Sequence, residues 1–240
     1  MAELRRLATP EAAAEAAADL ILEGLGAARE SAGRATLAVS GGSTPKLLFR
    51  ALKQRSFDWR AVHIFWADER MVPPTHADSN YRLALEELLG PAGVPEDQIH
   101  RIEGELQPAA AVERYSQEVR RVFGLQPSTL PRFDVVHLGM GADGHIASLF
   151  PGEPLTGDRA GIAAAVYATK QKSYRVTLLP GVLLGADLVV LLVAGADKAP
   201  ALRAVRQEPF DPMARPAQLI DRQARRAVWV LDEAAADGVE

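Results

Sequence analysis

From Pro10 to Glu30 the chain reads as one helix. Thr9 stands where a cap is needed, Pro10 suits the first helical position, and Leu20, Ile21 and Leu25 form the face that packs. The many alanines add propensity, while Glu11 and Asp19 argue against a membrane anchor. A short apolar run, Ala35 to Val39, leads at once into SGGSTP and then KLLFRAL, a helical run from Lys46 onward. The unit is strand, tight loop, helix. A second strand, Ala61 to Trp66, ends in the charged ADER before a proline-rich loop and helical segments at Asn80 to Leu89 and Ala109 to Phe123. Phe133 to Leu138 is a further strand with GMGADGH directly behind it. Apolar stretches follow at Gly161 to Thr169, Arg175 to Leu179 and Leu188 to Ala194, the last running into GADKAPALRAV; the final strand is placed at Ala227 to Leu231.

Repeated strand-to-helix changes predict an α/β fold: a Rossmann-like, mostly parallel sheet with helices on both faces. No repeat or linker-like shift interrupts the order, so residues 1–240 are expected to form a single domain, with surface loops at Gly90 to Pro95 and Pro151 to Gly157. Polar and glycine-rich residues recur just beyond strand carboxyl ends, where ligands gather in such sheets.

Composition narrows the chemistry. The 240 residues are 48% hydrophobic and 24% charged, enough for both a core and a wet surface. Lys and Arg number 27 against 31 Asp and Glu, a net charge of −4, which argues against a nucleic-acid or anionic-membrane surface but allows a local basic pocket. The absence of cysteine excludes disulfides, thiolate nucleophiles and cysteine-ligated zinc or iron-sulfur centres. The N-terminal stretch lacks a signal-peptide pattern, and no apolar run approaches the roughly 20 residues that span a bilayer, so a cytoplasmic location is expected.

Three loops carry candidate chemistry. In Ser40 to Pro45, Gly41 and Gly42 permit close backbone approach, Ser43 or Thr44 could cap the following helix, and Pro45 fits an early helical position. Such a loop cradles an anion or simply makes a tight turn; it has neither the GxxxxGK[ST] nor the GxGxxG nucleotide pattern. Asp68, Glu69 and Arg70 follow an apolar strand, where they cap a loop or line a polar pocket, Arg70 suiting a phosphate or carboxylate and the acids orienting neighbours. In Leu138 to Gly152, three glycines precede His145, which is either a general base or a satisfied turn residue; Asp143 holds the loop, orients the imidazole, or does neither.

Other residues have bland readings. Taken alone, Lys198 either caps or solvates the Ala199 to Val205 helix or serves a site, Arg175 either projects from a strand edge or does the same, Met140 fills loop space, and Trp59, Trp66 and Trp229 pack. Ser43 and Ser148 lack a GxSxG elbow. His63, Asp68, Glu69 and His137 show no spacing that demands a metal, and neither metal nor cofactor is expected.

Taken together, SGGSTP (40–45), DER (68–70), DSNY (78–81), FDVVHLGMGADGHIASLFPG (133–152), RVTL (175–178) and GADKA (195–199) resemble the 6-phosphogluconolactonase family, related to the glucosamine-6-phosphate deaminases. PAQLI and VWVLDEAA fit its tail. The resemblance implies hydrolysis of 6-phospho-D-glucono-1,5-lactone to 6-phospho-D-gluconate in the oxidative pentose phosphate pathway. It assigns His145 as general base with Asp143 beside it, and Arg70, Arg175 and Lys198 to substrate or phosphate. Gly41, Gly42, Ser43, Thr44 and Asp68 complete the binding wall. The phosphorylated lactone is the partner implied, with no nucleic acid, membrane or obligatory protein partner. Deaminase relatives carry DEY and a loop glutamate where this chain has Arg70 and Phe150.

Overall fold

The computed structural model describes residues 1–239. Ten strands form two sheets. The larger is parallel throughout and contains β1 (Glu3–Leu7), β2 (Ala35–Val39), β3 (Val62–Trp66), β5 (Ile99–His100), β6 (Val135–Leu138), β9 (Leu188–Val193) and β10 (Ala227–Asp232), in the order β1-β10-β9-β6-β2-β3-β5. The smaller is antiparallel, in the order β4 (Asp68–Arg70), β8 (Ser173–Leu178), β7 (Ala163–Ala168). The helices are α1 (Pro10–Ala32), α2 (Ser43–Lys53), α3 (Asn80–Ala84), α4 (Pro108–Phe123), α5 (Pro180–Gly185), α6 (Ala199–Gln207) and α7 (Gln218–Gln223).

The central strands are buried because helices cover both faces: every residue of β2, β6, β9 and β10 is buried, so these strands read as apolar runs rather than alternations. α1 forms as its sequence predicts, with the Thr9 hydroxyl accepting from the Ala12 amide and Gly33 ending the helix in the left-handed region. Its apolar face lies over β9 and β10, and Gly24 is required there, since a Cβ would stand 2.8 Å from Val135 Cγ2.

Several elements depart from the sequence expectation. β1 and β5 are edge strands of the parallel sheet that the pattern does not announce, and α5 and α7 are short helices it also leaves out. DER is a strand of the second sheet, not a loop. α2 begins at Ser43 instead of Lys46; Gly42 occupies the N-cap with φ 122°, so neither Ser43 nor Thr44 caps it. The helix from Asn80 relaxes into a π-turn over Leu85–Leu89.

Strand order decides where a ligand can enter. From β2 the chain moves outward through β3 to β5, then returns to lay β6 on the opposite side of β2 and continues toward β9 and β10. The connections after β2 and β6 therefore diverge and leave a crevice at their carboxyl ends, the switch point of an open parallel sheet. No helix among the described residues is long and apolar enough to cross a membrane.

Candidate functional site

A cleft of about 220 Å³ occupies that switch point. Its walls are Ser40 to Pro45 after β2, Gly139 to Gly141 with His145 and Ala147 after β6, Leu192 to Ala194 and Lys198 at β9, and Asp68, Arg70 and Arg175 from the small sheet. Three cations face one carboxylate in a chain whose net charge is −4, so the cleft is a basic spot on an acidic molecule.

Period-two alternation sorts the DER triplet. Asp68 and Arg70 point into the cleft, whereas Glu69 turns to the opposite side. There its buried carboxylate accepts from the Ser79 hydroxyl at 3.0 Å and the Asn80 and Tyr81 amides at 2.8 Å each. Burial pushes the Glu69 pKa up, against the lowering effect of those bonds. The DSNY segment so fixed places Asn80 against Gly41, where a Cβ would lie 1.8 Å from Asn80 Oδ1; only glycine fits. Glu69 thus orients neighbouring main chain from behind the wall, while Asp68 alone of the two acids faces the cleft.

Arg70 and Arg175 are direct cross-strand partners in the β4–β8 pairing. Like charges opposite one another destabilise a sheet unless something negative lies between them. Arg70 donates through Nη1 to the Asp78 carbonyl, Arg175 lies 4.0 Å from Asp68 Oδ2 and 5.9 Å from the Phe150 ring centre, and the Nε atoms of both arginines are buried without a protein partner. Burial lowers the Arg175 pKa, opposed by Asp68 and reinforced by Arg70. Asp68 is held by the Ser148 hydroxyl at 2.7 Å. Opposite, Lys198 lies 2.9 Å from Asp197 at the entrance to α6, and Asp232 accepts from the Gly195 amide to set that loop.

The β6 loop folds back on itself. Gly141 and Gly144 amides donate to the His145 and Gly141 carbonyls, and Gly144 takes φ 81°. Asp143 Oδ1 lies 2.5 Å from His145 Nδ1, and the Lys170 ammonium bonds Oδ2 at 3.1 Å. The hydrogen bond from His145, then its charge and Lys170, hold the Asp143 carboxyl well below the usual range, against the opposing effect of burial. With Nδ1 engaged, Nε2 is the ring nitrogen with no protein partner among the described residues. The Phe150 ring centre lies 4.8 Å from that of the imidazole.

Of the candidate residues, His145, Gly41, Gly42, Ser43, Thr44, Asp68, Arg70, Arg175 and Lys198 all line this cleft, and Asp143 stands behind His145. Ser40 was missed as an individual contact: its hydroxyl is buried on the cleft wall with no protein partner, a position hidden by reading SGGSTP as backbone. Lys170 was missed because nothing near it in sequence shows that the β7–β8 turn reaches Asp143. The four polar residues weighed for a metal do not converge. His63 pairs with His100 at 2.9 Å, His137 is fully buried in β6 with its pKa pushed down to about 3, and Asp68 and Glu69 face opposite ways. No group of three or more potential metal ligands occurs among the described residues.

Gly141 lets the imidazole and its carboxylate lie directly against the main chain. A Cβ there would sit 2.1 Å from His145 Nδ1 and 2.7 Å from Asp143 Oδ1. Gly141→Ala is therefore expected to displace the imidazole and cut kcat/KM by about 10- to 100-fold while the melting temperature changes little. Steady-state kinetics beside a thermal melt check this.

A parallel sheet opening at its switch point onto a cationic cleft, with an Asp-His pair on the rim, is the architecture of an α/β enzyme acting on a small anionic substrate. Comparison with known proteins makes the class specific. The family described as glucosamine-6-phosphate isomerases/6-phosphogluconolactonase matches residues 8–229. A 6-phosphogluconolactonase of Nostoc sp. is 38% identical over 218 residues, 90% of each chain. The solved 6-phosphogluconolactonase of Trypanosoma cruzi superposes with a TM-score of 0.90 at 26% identity, covering 100% of this chain and 97% of that one. A monomeric glucosamine-6-phosphate deaminase shares the fold, with a TM-score of 0.82 at 18% identity and 98% of each chain covered. The chain belongs to the 6-phosphogluconolactonase family, a family of hydrolases within that wider group.

Proposed function

We propose that this chain hydrolyses 6-phospho-D-glucono-1,5-lactone to 6-phospho-D-gluconate, the lactone-opening step of the oxidative pentose phosphate pathway, with His145 as general base. The observation that carries the reading is the placement of an Asp143-oriented imidazole across one cleft from the cross-strand Arg70–Arg175 pair. The arginines and Lys198 hold the phosphate and so bring the carbonyl of the same molecule to the histidine.

Neutral His145 takes a proton from water through Nε2 as the water oxygen bonds to C1. Donors on the SGGST wall, the open N-terminus of α2 among them, stabilise the tetrahedral oxyanion. Collapse restores the carbonyl and breaks the bond from C1 to the ring oxygen, and the imidazolium returns the proton to that oxygen. The acid formed ionises at neutral pH, so one proton is released per turnover. Asp143 fixes the tautomer and balances the imidazolium. Ammonia chemistry on an amino sugar is not expected, because Phe150 supplies no carboxylate to the histidine.

Freshly generated lactone should disappear faster with protein than without it, with proton release matching product. Glucosamine 6-phosphate should yield no ammonia above a heat-inactivated control. Absence of enzyme-dependent lactone loss, or stoichiometric ammonia and fructose 6-phosphate, would overturn the assignment.

A further inference from the structure

The β7–β8 hairpin serves two ends of the cleft. Its second strand carries Arg175, and its turn carries Lys170, whose Nζ bonds Asp143 Oδ2 at 3.1 Å. The turn is tight: the Gln171 and Lys172 amides donate to the Ala168 and Thr169 carbonyls, and Lys172 takes φ 51°. Behind Asp143 lies a separate cavity of about 290 Å³, bounded by Phe150, Pro151, Tyr167 and Lys170. Lys170 thus approaches the dyad from the side away from the substrate.

We propose that Lys170 is a positioning residue that holds Asp143 against His145 and adds a modest electrostatic bias against the imidazolium, an inference that rests on the general-base reading above. Asp143 has two oxygens and two partners. One holds the Nδ1 proton of His145, and the other neutralises an ammonium. Protonation of Nε2 makes a second cation beside a carboxylate already engaged by the first. Lys170 therefore disfavours the imidazolium twice over, by repulsion and by drawing charge from Asp143.

Other charges face the dyad as well. Arg175, Arg70 and Asp68 do so from the small sheet and Lys198 from the loop after β9. Glu153 stands on the outer cavity wall, and Arg215, paired with Glu208, lies beyond Gly144. None of these bonds Asp143. The Lys170 side chain is 77% exposed, so its influence is screened and of modest size.

The test compares wild type with Lys170→Met, Lys170→Glu and Lys170→Arg in two measurements at low and high salt. One is the kcat/KM-pH profile for the lactone with background subtracted. The other is the imidazole NMR titration of the substrate-free protein, with the His145 signal assigned through His145→Asn. Removing a nearby cation stabilises the imidazolium, so the inflection moves up. A shift of about 0.3 to 0.6 pH unit is expected for Lys170→Met, more for Lys170→Glu and none for Lys170→Arg, with the differences shrinking at high salt. A purely structural lysine would change the plateau and leave the inflection in place. An inflection unmoved in both Lys170→Met and Lys170→Glu at low salt overturns the proposal. A fully active His145→Asn protein overturns the general-base reading instead, and the NMR titration still reports whether Lys170 acts on the imidazole.

Discussion

His145→Asn is expected to leave the fold intact and to lower enzyme-dependent turnover of the lactone by about 10²- to 10⁴-fold. The loop survives because its shape comes from the main chain: the His145 carbonyl accepts from the Gly141 amide, and Gly144 supplies the positive φ. Asparagine retains a polar side chain at Asp143 but cannot accept a proton from attacking water. The rise of wild-type kcat/KM with pH that a general base produces should vanish in the variant. Hydroxide-driven hydrolysis rises along the same axis and must be subtracted from both. Measured on folded protein free of wild-type enzyme, turnover near the wild-type level would remove His145 from the catalytic role.

The half of the cleft that carries SGGSTP and His145 was legible in the sequence for a physical reason. A buried parallel strand ends abruptly, and whatever follows it without a spacer is delivered to the carboxyl edge of the sheet. SGGSTP after Val39 and GMGADGH after Leu138 are both of this kind, and β2 and β6 turn out to be the neighbours that flank the switch point. The small sheet was not legible. Asp68 to Arg70 is three residues long and pairs with Ser173 to Leu178 across a sequence separation of about a hundred residues, a contact that no local pattern encodes. Without that pairing, Asp68, Glu69 and Arg70 look equivalent; with it, alternation sends two to the cleft and one to the scaffold. β1 and β5 escaped notice for a related reason. As edge strands, they are partly exposed or very short, so neither shows the apolar run that marks the centre of the sheet. The start of α2 was placed one to three residues late because glycine at an N-cap leaves no side-chain signature.

The second large effect belongs to the arginines. Loss of a desolvated charged contact costs about 2 to 5 kcal/mol, which corresponds to roughly 30- to several-thousand-fold in kcat/KM. Arg175 should stand at the upper end, because only 12% of its side chain is exposed and its Nε has no protein partner, whereas Arg70 keeps a bond to the Asp78 carbonyl. Lys198, already paired with Asp197, should lose least. The same geometry makes a prediction about stability that runs the other way. Arg70 and Arg175 face each other across two strands, so replacing Arg175 by Gln removes a like-charge contact from the empty protein. Asp68 keeps its bond from Ser148, and the melting temperature of the unliganded variant should change little or rise. Inorganic phosphate should raise the melting temperature of the wild type by binding the native state alone, and that gain should be lost in Arg175→Gln. A functional residue that is costly to keep and costly to lose is the signature expected of a site built for an anion. If kcat/KM is unchanged in folded Arg70→Ala, Arg175→Ala and Lys198→Ala proteins, or if phosphate stabilises Arg175→Gln as much as wild type, the phosphate is held elsewhere and the cleft assignment fails.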